Sequence, residues 1–119
     1  GGRTGNGVTA QVHVLDVEAA RWRQGSALPS PRADAAVGVV AGQIHLAGGR
    51  SNDPMRTFSE HYVLDASGGG WRKAEPLPLP RLGAASAGSG GAFVIVGGSG
   101  GAGVFSLFTT SDVVDIYKP

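Results

Sequence analysis

Short apolar runs punctuated by Gly, Pro and Asp fill the chain, and none keeps the three-to-four-residue spacing of an amphipathic helix. Val37, Val39 and Val40 are followed by Ile44 and Leu46, and further on Phe93 to Val96 form one continuous apolar stretch. The doublets Ala41-Gly42 and Gly90-Gly91 divide these regions in two, as hairpin turns do. An unbroken run such as Phe93 to Val96 suits a strand covered on both faces. Two strands therefore lead into each of the pairs Gly48-Gly49 and Gly97-Gly98. A variable loop follows each pair, and then a third strand: Gln11 to Leu15, Glu60 to Leu64, Val113 to Tyr117. Trp22-Arg23 and Trp71-Arg72 lie on a fourth, and the scattered Gly and Pro would break any helix. The pattern predicts an all-β chain with four antiparallel strands per unit.

The units repeat. WRQGSALPSPR at residues 22–32 returns as WRKAEPLPLPR at residues 71–81, with Trp, Arg, Leu, both Pro and the final Arg at the same offsets. Gly48-Gly49 and Gly97-Gly98 each follow their Trp by 26 residues, and Leu15-Asp16 and Leu64-Asp65 each precede theirs by seven. A third Gly pair stands at Gly1-Gly2. The period is 49 residues, within the range where self-similarity signals solenoids and propellers.

Composition narrows the classes. The chain has 21 Gly and 7 Pro among 119 residues, yet it is 41% hydrophobic with a net charge of +1, which is not the profile of disorder. Its length suits one core. No apolar run reaches the roughly 18 residues of a membrane span, and the near-neutral charge gives no electrostatic basis for nucleic acid or an anionic membrane. With no Cys there is neither a disulfide framework nor a thiolate metal site.

The repeat resembles the kelch motif: an Arg near the first strand, a hydrophobic run ending in Gly-Gly, an apolar residue or Tyr beside an acid, and a Trp. Arg32, Ile44 to Ala47, Gly48-Gly49, Leu64-Asp65 and Trp71 carry that resemblance, which covers essentially the whole chain. His45 stands where the family often has Tyr, Leu15 and Leu64 replace another Tyr, and Tyr117 restores it but is followed by Lys118 in place of the acid. The resemblance implies kelch-type β-propeller blades of four antiparallel strands. Residues 1–31 would be the outer strands of one blade, 32–80 a complete blade, and 81–119 the inner strands of the next. Propellers close with about 4 to 8 blades, so an incomplete ring is expected, with the remaining blades in a longer chain or, alternatively, supplied by oligomerisation. Trp22 and Trp71 would fill inter-blade contacts. Gly48, Gly49, Gly97 and Gly98 would end second strands where only Gly fits, and Asp16 and Asp65 would accept hydrogen bonds in the turn after the third strand.

Candidate chemistry falls in the loops after Gly-Gly: RTGNGVT from Arg3, RSNDPMRTFS from Arg50 to Ser59, and SGGAGVFSLFTTS from Ser99 to Ser111. The second is richest, with Arg50 and Arg56 as donors for carboxylate or phosphate, Asn52 as a bifunctional amide, and Met55 and Phe58 as apolar anchors. In kelch substrate adaptors of ubiquitin ligases, polar residues just after Gly-Gly can read acidic peptides, and Arg50 and Asn52 resemble that arrangement. The competing reading is a solvated loop that happens to contain two Arg. Arg32 and Arg81, present in both copies, point to a shared structural hydrogen bond. Val104, Phe105, Leu107 and Phe108 form an apolar insertion that either tucks over a neighbouring blade or presents a partner-binding patch.

Enzyme signatures are sparse. His45 occupies a strand position held by Val94 in the next copy, which favours a packed histidine, and His13 and His61 lack metal-ligand spacing. The tract from Gly97 to Gly103 lacks the Lys and the helix of a phosphate loop, and its chance match to a nucleophile elbow has no following helix. No catalytic residue, metal ligand or cofactor is assigned. The expected function is a protein-interaction scaffold binding a protein or acidic peptide through propeller loops. The alternative is a kelch-type sugar-modifying enzyme, an oxidase or a sialic-acid-epimerase-like protein, since one scaffold hosts both.

Overall fold

The computed structural model describes residues 1–65, 67 and 69–119. Among these described residues thirteen strands lie in this order: β1 (Gly2–Thr4), β2 (Gly7–Thr9), β3 (His13–Asp16), β4 (Arg21–Gln24), β5 (Ala36–Val40), β6 (Gln43–Ala47), β7 (Arg50–Asn52), β8 (Met55–Thr57), β9 (His61–Asp65), β10 (Trp71–Ala74), β11 (Ala85–Ser89), β12 (Ala92–Val96) and β13 (Val114–Tyr117). The one helical element among the described residues is a short 3-10 helix, Gly103–Leu107. All strand pairings are antiparallel.

The central sheet has the order β10-β9-β6-β5. It is flanked by the three-stranded sheet β11-β12-β13 and by the pair β3-β4, while β1-β2 and β7-β8 are separate hairpins. The anticipated turns are where the doublets put them. Ala41 and Gly42 (φ 49° and 77°) join β5 to β6, and Gly90 and Gly91 (φ 56° and 76°) join β11 to β12. Two successive positive φ values give the turn twist that a two-residue hairpin needs.

The sheets pack face to face, fanning out from their first strands. The Ser86 hydroxyl accepts from the Val37 N–H and donates to the Val37 carbonyl, both at 2.9 Å. These positions are one 49-residue period apart, so equivalent points of successive repeats touch at the inner strands. That contact places a rotation axis close by, as in a propeller. The approach is so close that a Cβ on Gly88 would overlap the Val39 carbonyl. Ala36, Val40, Ala47, Leu77, Phe93 and Ile95 fill the space between the central and third sheets. Leu28, Leu46 and Tyr62, with Val12 and Trp71 packed against them, fill the space on the other side. The array is an open, propeller-like set of antiparallel sheets that does not close into a ring.

Two parts of the picture differ from the sequence expectation. The first two loops after Gly-Gly are themselves hairpins, β1-β2 and β7-β8. Trp71 is sandwiched between sheets and donates from its indole N–H to the Ser26 carbonyl at 2.9 Å, but Trp22 is 68% exposed. Among the described residues no sheet covers the Trp22 face of β4.

Candidate functional site

The repeat arginines organise the ends of the sheets. Arg32, 1% exposed, donates from Nη1 to the Gly48 carbonyl at 3.0 Å and from Nη2 to the Ser30 hydroxyl at 2.7 Å. Arg81 repeats the first contact, donating to the Gly97 carbonyl at 3.3 Å, and adds the Val113 carbonyl at 3.1 Å and an ion pair with Asp115. Their backbones act on the other side: the Arg32 carbonyl accepts from Gly2 N–H and the Arg81 carbonyl from Gly49 N–H, both at 2.9 Å. Gly48 and Gly49 (φ 69° and 94°) must be glycine here. A Cβ on either would collide with the carbonyl of Arg81 or Ala33. Gly97 and Gly98 repeat the positive φ, at 70° and 90°. Asp16 accepts from Ala19 N–H at 2.9 Å in the turn after β3, and Asp65 accepts from the Gln43 side chain.

Beside this framework a cleft of about 580 Å³ opens between the tip of the β1-β2 hairpin and the β7-β8 hairpin. Asn6, Ser30, Asn52, Arg56, Glu60 and the rings of Phe58 and Tyr62 line it. Phe58 is buried, because the Arg32 guanidinium lies 4.1 Å from its ring centroid and 5.1 Å from that of Tyr62. Arg56 lies over the same Phe58 ring at 5.0 Å and donates to Glu60 Oε1 at 2.7 Å. Glu60 Oε2 and Arg32 Nε are both buried with no hydrogen-bond partner. Burial lowers the pKa of Arg32, opposed by the charge of Glu60 and by Tyr62.

The proposed recognition residues are thus in one place but differ in freedom. Arg50 donates from Nε to Asp34 Oδ2 at 2.7 Å and from Nη1 to Asn52 Oδ1, and its side chain is only 11% exposed. Arg3, from the first hairpin, shares the same Asp34 oxygen at 2.8 Å. Burial would raise the Asp34 pKa, but hydrogen bonds and charge from Arg3 and Arg50 outweigh it and hold the carboxyl below its usual value. Arg56, 59% exposed, is far more open to solvent than Arg50. Phe58 is floor rather than protruding anchor, whereas Met55 is exposed and lies beside Gly103. The apolar insertion does not tuck away: Val104, Phe105, Leu107 and Phe108 are all exposed.

A second cluster sits between the central and third sheets, and sequence reasoning treated its members separately. His45 Nδ1 and His61 Nε2 are 2.9 Å apart, and His61 Nδ1 is 2.9 Å from the Glu75 carbonyl oxygen. A carbonyl can only accept, so His61 carries its proton on Nδ1 and accepts at Nε2. His45 then donates from Nδ1, which leaves its Nε2 a bare lone pair, and that atom is buried without a partner. Phe93 and Tyr117 pack on both rings. Burial lowers both histidine pKa values. For His45 the charges of His61 and Arg72 add to it, and for His61 the Glu75 hydrogen bond partly offsets it. The juxtaposition follows from register: β6 pairs with β9 so that Ala47 faces His61, which sets His45 diagonally across. His13 is exposed and apart. Among the described residues no three His, Asp or Glu side chains gather as a metal-binding group.

No family model matches this chain, and no curated protein matches its sequence.

Proposed function

We propose that this chain is part of a kelch-type propeller that binds an acidic segment of a partner protein in the cleft between the β1-β2 and β7-β8 hairpins. The balance of charge carries the reading. Among the described residues around this face, four guanidiniums (Arg3, Arg32, Arg50 and Arg56) stand with three carboxylates (Asp34, Glu60 and Asp53). Arg3 and Arg50 divide one carboxylate between them, and Arg56 holds Glu60 while Arg32 lies buried nearby. An incoming Asp or Glu gives Arg56 a second acceptor in a partly desolvated site, where charge-assisted bonds are strongest. Asn6, Ser30 and Asn52 offer neutral donors and acceptors to the partner's backbone, and Phe58 and Tyr62 give an aromatic floor. Arg50 has a positioning role: it ties Asn52 and Asp34 together and so holds the hairpin against the segment that leads into β5.

The test is titration of a labelled Glu-rich peptide, with its Gln counterpart as control, followed by fluorescence anisotropy. Arg56→Ala should weaken the Glu peptide by about 1–3 kcal/mol with little change in Tm. Equal binding of both peptides, or a variant that binds as tightly as the parent, would refute the reading.

A further inference from the structure

The repeat arginines can be compared position by position, and they differ in the acid each is given. Asp115 faces Ile95 across β12 and β13, and one 49-residue period earlier Tyr62 faces Leu46 across β6 and β9. Arg81 forms its ion pair with Asp115. Arg32 meets the Tyr62 ring instead, and among the described residues its Nε is buried with no hydrogen-bond partner. The acid near Arg32 stands two residues before Tyr62, at Glu60, and is engaged elsewhere. Its Oε1 accepts from Arg56 at 2.7 Å, while its Oε2 is likewise buried with no partner. A charged donor and a charged acceptor are thus left unpaired beside the Phe58 floor of the hairpin cleft.

Gly48 brings the two together. Its carbonyl accepts from Arg32 Nη1 and its N–H donates to the Glu60 carbonyl, both at 3.0 Å. The Ser59 carbonyl accepts from Leu77 N–H at 2.9 Å, so the backbone leading into Glu60 is held as well. What can move is the Glu60 side chain, which is 26% exposed and free to change rotamer. When a partner's acid arrives as a further acceptor for Arg56, two carboxylates crowd one guanidinium and repel each other. The vacant Nε of Arg32 gives Glu60 somewhere to go.

We infer that Glu60 is the cleft's built-in competitor: it holds Arg56 while the cleft is empty and turns to Arg32 when an acidic residue of a partner takes its place. The exchange keeps a charge-assisted bond at Arg56 and makes a new one at Arg32. Glu60 Oε2 and Arg32 Nε, costly to leave buried and unpaired, are both satisfied only in the occupied state. Glu60 has this role only if the cleft takes an acidic segment, as proposed above. Asp53 gives the comparison, because it also lines the cleft but is exposed at the hairpin turn, so its charge repels an acid without holding Arg56.

The test is anisotropy of the labelled Glu-rich peptide with the intact 119-residue protein and with its Glu60→Gln and Asp53→Asn variants. Each variant removes one negative charge from the cleft and nearly keeps the side chain's shape. Glu60→Gln should tighten the peptide by about fivefold or more, and Asp53→Asn by less than about twofold. In heteronuclear NMR of the parent, the Arg32 Nε–H signal should move downfield as the peptide is added. Equal gains in the two variants, no gain in Glu60→Gln, or an Arg32 signal that the peptide leaves in place would overturn the role of Glu60 while the cleft reading stands. No binding of the peptide to the parent or to either variant would overturn the cleft reading and the role of Glu60 with it.

Discussion

Acid should loosen the contact between the central and third sheets well above the range in which carboxylates titrate. His45 and His61 are neutral, buried and bonded in a fixed tautomer order, with Nε2 of His45 bare against aromatic rings. Among the groups around them, Arg72 opposes protonation, Asp115 is engaged by Arg81, and Tyr117 and Phe93 offer only rings. Both folded pKa values lie below the ordinary 6.5. Between 6.5 and those lowered values the unfolded chain binds more protons, so stability rises with pH there and falls as the solution is acidified. Each histidine contributes up to about 1.36 kcal/mol per pH unit in that window, so the pair contributes up to about 2.7. A domain stable by about 5–15 kcal/mol would register that plainly. Asp34 acts elsewhere: its carboxyl pKa is depressed, so its contribution is lost only as pH drops below about 3.8. The control is His45→Val with His61→Val, because the third sheet has Val94 and Val114 at the matching positions. Urea midpoints measured from pH 7.5 to 4.5 should slope for the parent and flatten for the double variant. His45→Val alone should be worse than the double change, since it strands the His61 acceptor at about 1–3 kcal/mol. A parent that is flat across this range, or a double variant with the parent's slope, would refute the argument.

Two further outcomes follow from the packing. Gly88→Ala should cost about 3 kcal/mol or prevent folding, because the added methyl overlaps the Val39 carbonyl and forces the inner strands apart. Gly5→Ala, in open space, should stay within about 0.5 kcal/mol, and thermal melts of the two distinguish them. Trp71→Phe keeps an aromatic ring but loses the bond to the Ser26 carbonyl, so chemical denaturation should show a loss of about 1 kcal/mol or more.

The strands were legible because their limits are chemical. Ala41-Gly42 and Gly90-Gly91 mark the hairpins, and the 49-residue recurrence of Trp, Arg and Gly-Gly aligns the sheets from the sequence alone. The site was only partly legible. Arg50, Asn52, Arg56 and Phe58 share one hairpin, so sequence proximity found them. Asp34, which decides how free Arg50 is, draws no notice next to Ala33 and Ala35, and only folding carries it to Arg3 and Arg50. The histidine pair was hidden for a similar reason: residues 16 apart meet only when the β6-β9 register is known. The β1-β2 and β7-β8 hairpins had weak signals in Asn6-Gly7 and Asp53-Pro54, turn formers within short polar stretches.

The repeat arginines also decide how the molecule comes apart. The Arg81 side chain is fastened to Gly97 in its own sheet, while its carbonyl holds Gly49 of the sheet before it, and Arg32 does the same between Gly48 and Gly2. Each is a rivet through two plates. Pulling one sheet free breaks the bond to the arginine carbonyl and disturbs the residue whose guanidinium is buried in the next sheet, so local opening is penalised twice. Repeat arrays whose units touch only through soft apolar faces can fray unit by unit. Riveted ones should melt as one cooperative block, with the exposed hairpins and the 3-10 segment free to breathe before it.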